Sequence, residues 1–428
     1  MKYASVLLAA SCLLSAVKAQ WLETTIQLPA GPGPLCYNSR ENKVYCVIAG
    51  SAVAVISGSS NEVIATIPVV TGPSALCYNS VANSVFCASH DADTLTVIDG
   101  LTDSVVGVVS LVFWPTTLIY DSSDNKIYCT NCSYLYSSVT VVDGASNAVV
   151  AVIAVLDGLP SVACYDSRDN RVYCARSLPN YVLAIDCATD SIVDSVAIGG
   201  APENSCYNAT DNKAYYSDFD RDVVDVIDCG TNQLIATVPV GGFPRALCYN
   251  YRANKVYCAN GDSDNVSVID GSSDSVVATV TVGNVPWILL YNRANNKVYC
   301  ANLGTDDVTV IDGSSNSVLH TIAVGDRPVA LCHNPAQNRV YVSNSRSASI
   351  SVLRDSGGGI EESPKPQAPS HKPAATVMRS LPPGAVVFDA MGRRVVNPRP
   401  GVYFVRAEPS AVSRQPSAVT VRKVILQR

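Results

Sequence analysis

Sixteen cysteines in a chain of 428 residues are the first side chains to test for chemistry. Cys36/Cys46, Cys77/Cys87, Cys164/Cys174 and Cys248/Cys258 each lie ten residues apart. That spacing across a short turn could set two thiols opposite each other on paired strands, within reach of a disulfide. The same two positions recur elsewhere with only one thiol: Cys129, Cys206, Cys300 and Cys332 face Ile119, Tyr216, Leu290 and Val342. Each position is Cys in six repeats of eight and both are Cys in four, as independent filling gives. The residues therefore favour buried, small apolar thiols with occasional bridges over a regular disulfide ladder. Without Cys12 the count is fifteen, so at least one thiol has no intrachain partner.

Other reactive groupings are sparse. Cys129-Thr130-Asn131-Cys132 is the single Cys-x-x-Cys and lacks a second pair, so a zinc knuckle is not expected. Of four histidines, His333 and His320 stand at repeat positions held elsewhere by Tyr and Ala, His371 lies in a linker, and His90 sits in a loop. Acidic loops at 90–93, 218–222, 262–264 and 305–307 have carboxylates at alternate positions, which makes calcium the one candidate metal. None has the twelve-residue loop with its Gly and final Glu, so solvated hairpin tips are preferred. No nucleophile elbow, phosphate loop or dinucleotide fingerprint occurs, and no residue is assigned as catalytic. The residues favour binding over catalysis.

These side chains are carried by a repeat. Val55-Ile56-Ser57-Gly58 returns as Val97-Ile98-Asp99-Gly100 and then five more times, at spacings of 42, 44, 43, 42, 42 and 42, before a worn copy at Ser351–Arg354. Periods of about 40–45 residues built from four strands mark propeller blades. The stretch Pro244–Gly283 holds four short runs rich in Val, Ile, Tyr and Thr, separated by Asn, Asp and Gly turn residues. Its strands are expected at Ala246–Asn250, Lys255–Asn260, Asn265–Asp270 and Val276–Val282. First-strand copies, led by prolines such as Pro34 and Pro73, number eight. Second-strand copies with Tyr45, Phe86, Tyr128 and their equivalents also number eight. Fourth strands reach eight only if Thr24–Leu28 is counted. The expected fold is therefore all-β: an eight-bladed β-propeller of four-stranded blades, closed by the N-terminal strand so that no long edge is left open.

Val-Tyr-Cys-Ala-Asn at 256–260 and 298–302 and Val-Tyr-Val-Ser-Asn at 340–344 resemble the signature of YVTN-family β-propeller repeats over about residues 22–355. The recurrent Cys departs from that family's usual Val or Ala. The resemblance implies a surface protein and, through lactonase-like relatives, an alternative reading as an exported hydrolase with a metal in the central channel. Residues 385–395, 400–406 and 421–428 resemble the C-terminal sorting domain of type IX secretion cargo. That likeness implies a small β-sandwich-like domain over 376–428 that engages secretion machinery.

The ends and charges fit export. Lys2, the apolar run Ala4–Val17 and Val17-Lys18-Ala19 read as a signal peptide over 1–19, with a lipoprotein anchor at Cys12 as the weaker alternative. The propeller is expected over 20–355 and a Gly/Ser/Pro-rich linker over 356–375. Later stretches fall short of the ~18 apolar residues of a membrane span, so no transmembrane segment is expected. From Trp21 to Asp355 there are 17 Lys/Arg against 32 Asp/Glu, a net of −15, whereas 376–428 carries +7. The acidic body argues against nucleic acid and anionic lipid as its partners.

Function is sought where the repeat is broken. Loops joining one blade to the next share a face with the loops between second and third strands, and the consensus there is small and polar. The departures are Phe113, Trp114, Tyr134, Tyr136, Arg176, Tyr181, Phe219, Arg221, Arg245 and Trp287. Aromatic residues and Arg are the types that anchor recognition. They are the candidate binding residues for a protein or glycan partner.

Overall fold

The computed structural model describes residues 20–355, apart from 134–136 and 157, and five strands within 376–428. The signal peptide and linker expectations, together with Tyr134 and Tyr136, lie outside the described residues. The chain divides into two units, residues 1–359 and 360–428.

The first unit is an eight-bladed propeller of four-stranded antiparallel blades. In blade 6 the strands are Pro244–Asn250, Lys255–Asn260, Asn265–Asp270 and Ser275–Thr281, called A to D from the axis outward. Strand A starts two residues earlier than expected, because its leading proline already pairs with Asn260. The leading proline of blade 1 is Pro32, opposite Ile48, and not Pro34. Blade 8 takes A, B and C from Pro328–Arg354 and its outer strand from Trp21–Gln27, which pairs with Ser349–Arg354.

Local chemistry explains the repeat. Each A strand ends in Asn or Asp, whose side-chain oxygen accepts a backbone N–H two or three residues on, and in six blades both, as Asn250 does from Arg252 and Ala253. Four residues past Asn250, Asn254 takes φ 50°, a left-handed conformation that Asn tolerates. B strands are buried on both faces, and apolar layers fill the space between adjacent blades.

B-strand tyrosines bolt neighbouring blades together. The hydroxyl of Tyr45 reaches Asp103 in the C–D turn of the next blade at 2.6 Å. Tyr128, Tyr173, Tyr215, Tyr257 and Tyr341 do the same to Asp190, Asn232, Asp274, Asn316 and Asn61. Blade 8 has no C–D turn, because its outer strand comes from the other end of the chain. Asp355 takes that role, accepting from Tyr299, Lys297, Asn292, Asn295 and Gln20.

In the second unit, the described strands Thr376–Met378, Val386–Phe388, Arg394–Val395, Gly401–Arg406 and Val421–Leu426 form one mixed sheet. The first and last of them run parallel.

Candidate binding face

The cysteine spacing misleads. Strand register sets Cys36 opposite Tyr45 and Cys46 opposite Leu35, one step apart, and successive residues of a strand point to opposite faces. Cys36 packs in the layer between blades 1 and 2, Cys46 in the layer between blades 8 and 1. The same holds for Cys77 and Cys87, Cys164 and Cys174, and Cys248 and Cys258. Register thus leaves no in-blade pair placed for the occasional bridges that the spacing allowed, and all fifteen described cysteines are free thiols. Burial pushes Cys46 and Cys77 up to about 12, which keeps them as unreactive thiols.

Two further cysteines occupy a different kind of position. In five blade interfaces the A-strand Asn of one blade points its amide at a Gly after the next blade's C strand. A Cβ at Gly100 would overlap Asn38 Nδ2, so the close approach requires glycine there. In blades 3 and 4 the A strand ends in Asp121 and Asp166, and the residues opposite are Cys187 and Cys229. One oxygen of each Asp makes the turn, and the other is buried without a hydrogen-bond partner.

The loop face is held by a repeated clamp. Asp93, Asp222, Asp264 and Asp306 close their B–C loops in left-handed conformation. Each accepts the backbone N–H of the residue before the next blade's leading proline: Trp114 at 2.7 Å, and Phe243, Val285 and Arg327 at 2.9 Å. Those four residues are also left-handed, an unfavourable state for non-glycine residues that the Asp bond offsets. One carboxylate of each of these acidic loops, read from sequence as candidate calcium ligands, is therefore a structural acceptor. Among the described residues no three His, Cys, Asp or Glu side chains come together in a way that could hold a metal ion.

The candidate aromatics fall into three groups on this face. Trp114 stacks on His90 with ring centroids 5.7 Å apart, and Phe113 beside it is exposed. Arg176 lies over Tyr181 at 4.9 Å, with its guanidinium donating to the Leu156 carbonyl. The third group is the richest. Phe219 meets Phe243 edge-on at 5.4 Å, and Arg245 lies 4.8 Å from the Phe243 ring centroid and 3.7 Å from that of Trp287.

A bulge places Arg245 and Trp287 of this group. The A–B ladder shifts register directly after the leading proline in every blade. Bulges re-aim a side chain out of the pleat. The residue after that proline is Gly33, Ser74, Thr116, Ser161 or Val329 in five blades, and Glu203, Arg245 and Trp287 in blades 5, 6 and 7. Glu203 lies 3.6 Å from Arg245. Burial raises its carboxyl above the ordinary range, with the Arg245 charge opposing.

Blade 5 departs from the repeat once more. In blade 6, Asn260 donates to Ser267 between strands B and C. Asp218 and Asp225 replace that pair in blade 5, both buried, with Arg221 3.3 and 3.6 Å from their oxygens. Burial raises Asp218 while Arg221 opposes. A Cβ at Gly199 would meet the Arg221 guanidinium and one at Gly200 the Asp218 carboxylate, so the neighbouring turn lies directly against the triad.

Phe219, Arg221, Arg245 and Trp287 thus share blades 5–7, whereas Phe113, Trp114, Arg176 and Tyr181 lie in other sectors. Sequence reading did not select Glu203. Its signal was available as the only carboxylate immediately after a leading proline.

Comparison with known proteins bears on the scaffold. A family model described as a YNCE-like beta-propeller matches residues 3–336. No curated protein sequence matches the chain. Among solved structures, Saccharomyces cerevisiae Sqt1 aligns with TM-score 0.68 at 9% identity, covering 78% of this chain and 98% of that one. Dihydro-heme d1 dehydrogenase NirN, solved in complex with DHE, aligns at TM-score 0.63 and 14% identity, covering 78% and 79%. Kuenenia stuttgartiensis hydrazine synthase aligns at 0.56 and 14%, covering 78% and 98%. Identities this low speak for the fold alone.

Proposed function

We propose, from the premise that this chain belongs to the YNCE-like β-propeller family, that it is a binding module for a protein or glycan ligand. The ligand meets the loop face in the sector of blades 5–7. The observation that carries this reading is the run Glu203, Arg245 and Trp287 on three consecutive inner-strand bulges, where the other five blades have Gly, Ser, Thr or Val. Two aromatic faces, a guanidinium and a carboxyl meet there on loops already fixed by backbone bonds, so little ordering entropy opposes binding. The mechanism is presentation of a preformed surface.

Surface display is part of the proposal. The YVTN-like signatures, the apolar leader and the sorting-domain-like run at 385–428 support export and attachment. Among the described residues no helix is long and apolar enough to cross a membrane.

The test immobilises the full chain and probes it with a glycan array and an extract of cell-surface proteins. Arg245→Ala with Trp287→Ala, checked for an unchanged melting curve, should weaken capture at least tenfold. Equal capture by the folded variant would overturn the assignment of the site. For export, deletion of residues 376–428 should hold the propeller inside the cell envelope, and normal surface delivery of the shortened chain refutes that part.

A further inference from the structure

Polar side chains on the inner-strand bulges are elsewhere used up within the ring. Ser74 Oγ donates to the carbonyls of Ala88 and Pro115, at 3.3 and 3.2 Å. Thr116 Oγ1 pairs with Thr130 Oγ1 at 2.8 Å, and Ser161 Oγ donates to the Pro202 carbonyl at 3.5 Å. Gly33 and Val329 bring no polar side chain. Blades 5 and 6 differ. Arg245 Nη1 stands 3.6 Å from Glu203 Oε1, close enough for an ion pair and too far for a hydrogen bond. Among the described residues, neither the Glu203 carboxyl nor the Arg245 guanidinium makes a hydrogen bond.

The two groups are nevertheless held in place. Asn204 Oδ1 accepts the Leu247 N–H at 3.1 Å, which ties the backbone beside Glu203 to blade 6. Ser217 Oγ lies within donating distance, 3.4 Å, of the Asn204 and Arg245 carbonyls. The guanidinium itself rests on the Trp287 ring. A fixed acceptor and a fixed set of donors thus stand side by side without hydrogen-bond partners.

Their surroundings restrict what can join them. The Arg245 side chain is 20% exposed and that of Glu203 37%, and the Phe243 and Trp287 rings beside them are half-buried. The site is recessed and admits a narrow group. A protein interface of ordinary size spreads over about 800 Å² on each partner, far more than two recessed side chains offer. An anion would meet Glu203 and the net −15 of residues 21–355, and a cation would meet Arg245. What remains is a neutral group that gives one hydrogen bond and takes another from the same side. Two hydroxyls on adjacent carbons do this, since each both donates and accepts. The C–H face of a sugar ring also suits the negative face of an aromatic ring.

We propose, on the reading that blades 5–7 form the binding site, that the ligand is a neutral glycan, one unit of which sets two adjacent hydroxyls across Glu203 and Arg245. One hydroxyl donates to the carboxyl and the other accepts from the guanidinium. The sugar ring packs against the aromatic cluster of Phe219, Phe243 and Trp287.

The full chain is tested on neutral mannans, glucans and galactans, with alginate and polygalacturonate as acidic counterparts. A neutral polymer should bind. Its binding should fall at least tenfold after periodate oxidation, which cleaves the carbon–carbon bond between adjacent hydroxyls, and borohydride reduction of the aldehydes formed. Glu203→Ala and Arg245→Lys, each with an unchanged melting curve, should weaken binding of the untreated polymer at least tenfold; Lys keeps the charge but loses the planar fork. The periodate comparison uses the wild-type chain alone, so it stands whatever the variants do to folding. Absence of binding to every neutral polymer overturns the proposal. So does tighter binding of the acidic polymers, or binding that survives periodate. A protein ligand lost on Arg245→Ala with Trp287→Ala would leave the site assignment standing and refute the glycan. A glycan that this double variant still captures would refute both.

Discussion

Phe86 stands where seven other blades place a tyrosine, and Asn147 Oδ1, the acceptor in the facing turn, is buried without a hydrogen-bond partner. Every equivalent tyrosine hydroxyl has its acceptor at 2.5–2.9 Å. Phe86→Tyr should therefore fill an existing vacancy. Such a bond adds about 1 kcal/mol when its acceptor is otherwise unsatisfied. Thermal unfolding should show a raised melting temperature, and no rise would mean that the blade 2–3 interface cannot admit the hydroxyl.

Asp355 concentrates the closing contacts of the ring. Its carboxylate lies 2.8 Å from Lys297 Nζ, and both side chains are nearly buried. Asp355→Ala should cost about 3–5 kcal/mol, the usual penalty for removing one partner of a buried ion pair. Burial alone would raise this carboxyl, but bonds from Gln20, Lys297 and Tyr299 hold it below the ordinary value. A depressed folded value means the stabilisation is complete above about pH 4, the unfolded carboxyl's range, and fades as pH falls further. Acid unfolding of Asp355→Asn should lack that component, and superimposable curves for wild type and variant would refute the account.

Asp121 and Cys187 depart from the repeat together. Asp121→Asn alone would drive an amide against the Cys187 side chain, and Cys187→Gly alone would open a void beside an orphan carboxylate oxygen. The double variant recreates the Asn–Gly contact of five other interfaces. A double-mutant cycle should give a favourable coupling of about 1–3 kcal/mol. Additive effects would mean that the two positions changed independently.

Asp222 fixes the turn that carries Phe243 into the candidate site. Asp222→Asn keeps an acceptor oxygen and should preserve ligand capture. Asp222→Ala should lower both stability, by about 1 kcal/mol, and capture. Equal capture by the two variants would detach the clamp from binding.

The blade number and the closure were legible because both rest on repetition: eight leading prolines, eight B-strand aromatics and one displaced D strand. The preference for buried thiols was legible in the independent filling of the two cysteine positions, but their separation into different layers was not, because the spacing of ten is one residue out of step with the hairpin register. Pro34 displaced Pro32 for a similar reason, since two prolines stand within three residues at the start of blade 1. Arg245 and Trp287 were visible as large residues on a small-residue face. Their gathering with Phe219 and Phe243 depends on the A-strand bulge, which re-aims side chains and leaves no mark in residue type. Glu203 and the Asp218–Arg221–Asp225 triad emerge only once the blades are aligned column by column.

Gln20 and Asp355 touch at 2.9 Å although 335 positions separate them. The ring is thus a loop of chain fastened by a non-covalent seam, and the fastener joins the two ends of the propeller sequence. An unfinished chain holds seven complete blades and a gap. Cutting the chain in an A–B turn and joining residue 20 to 355 would move the seam without altering the ring.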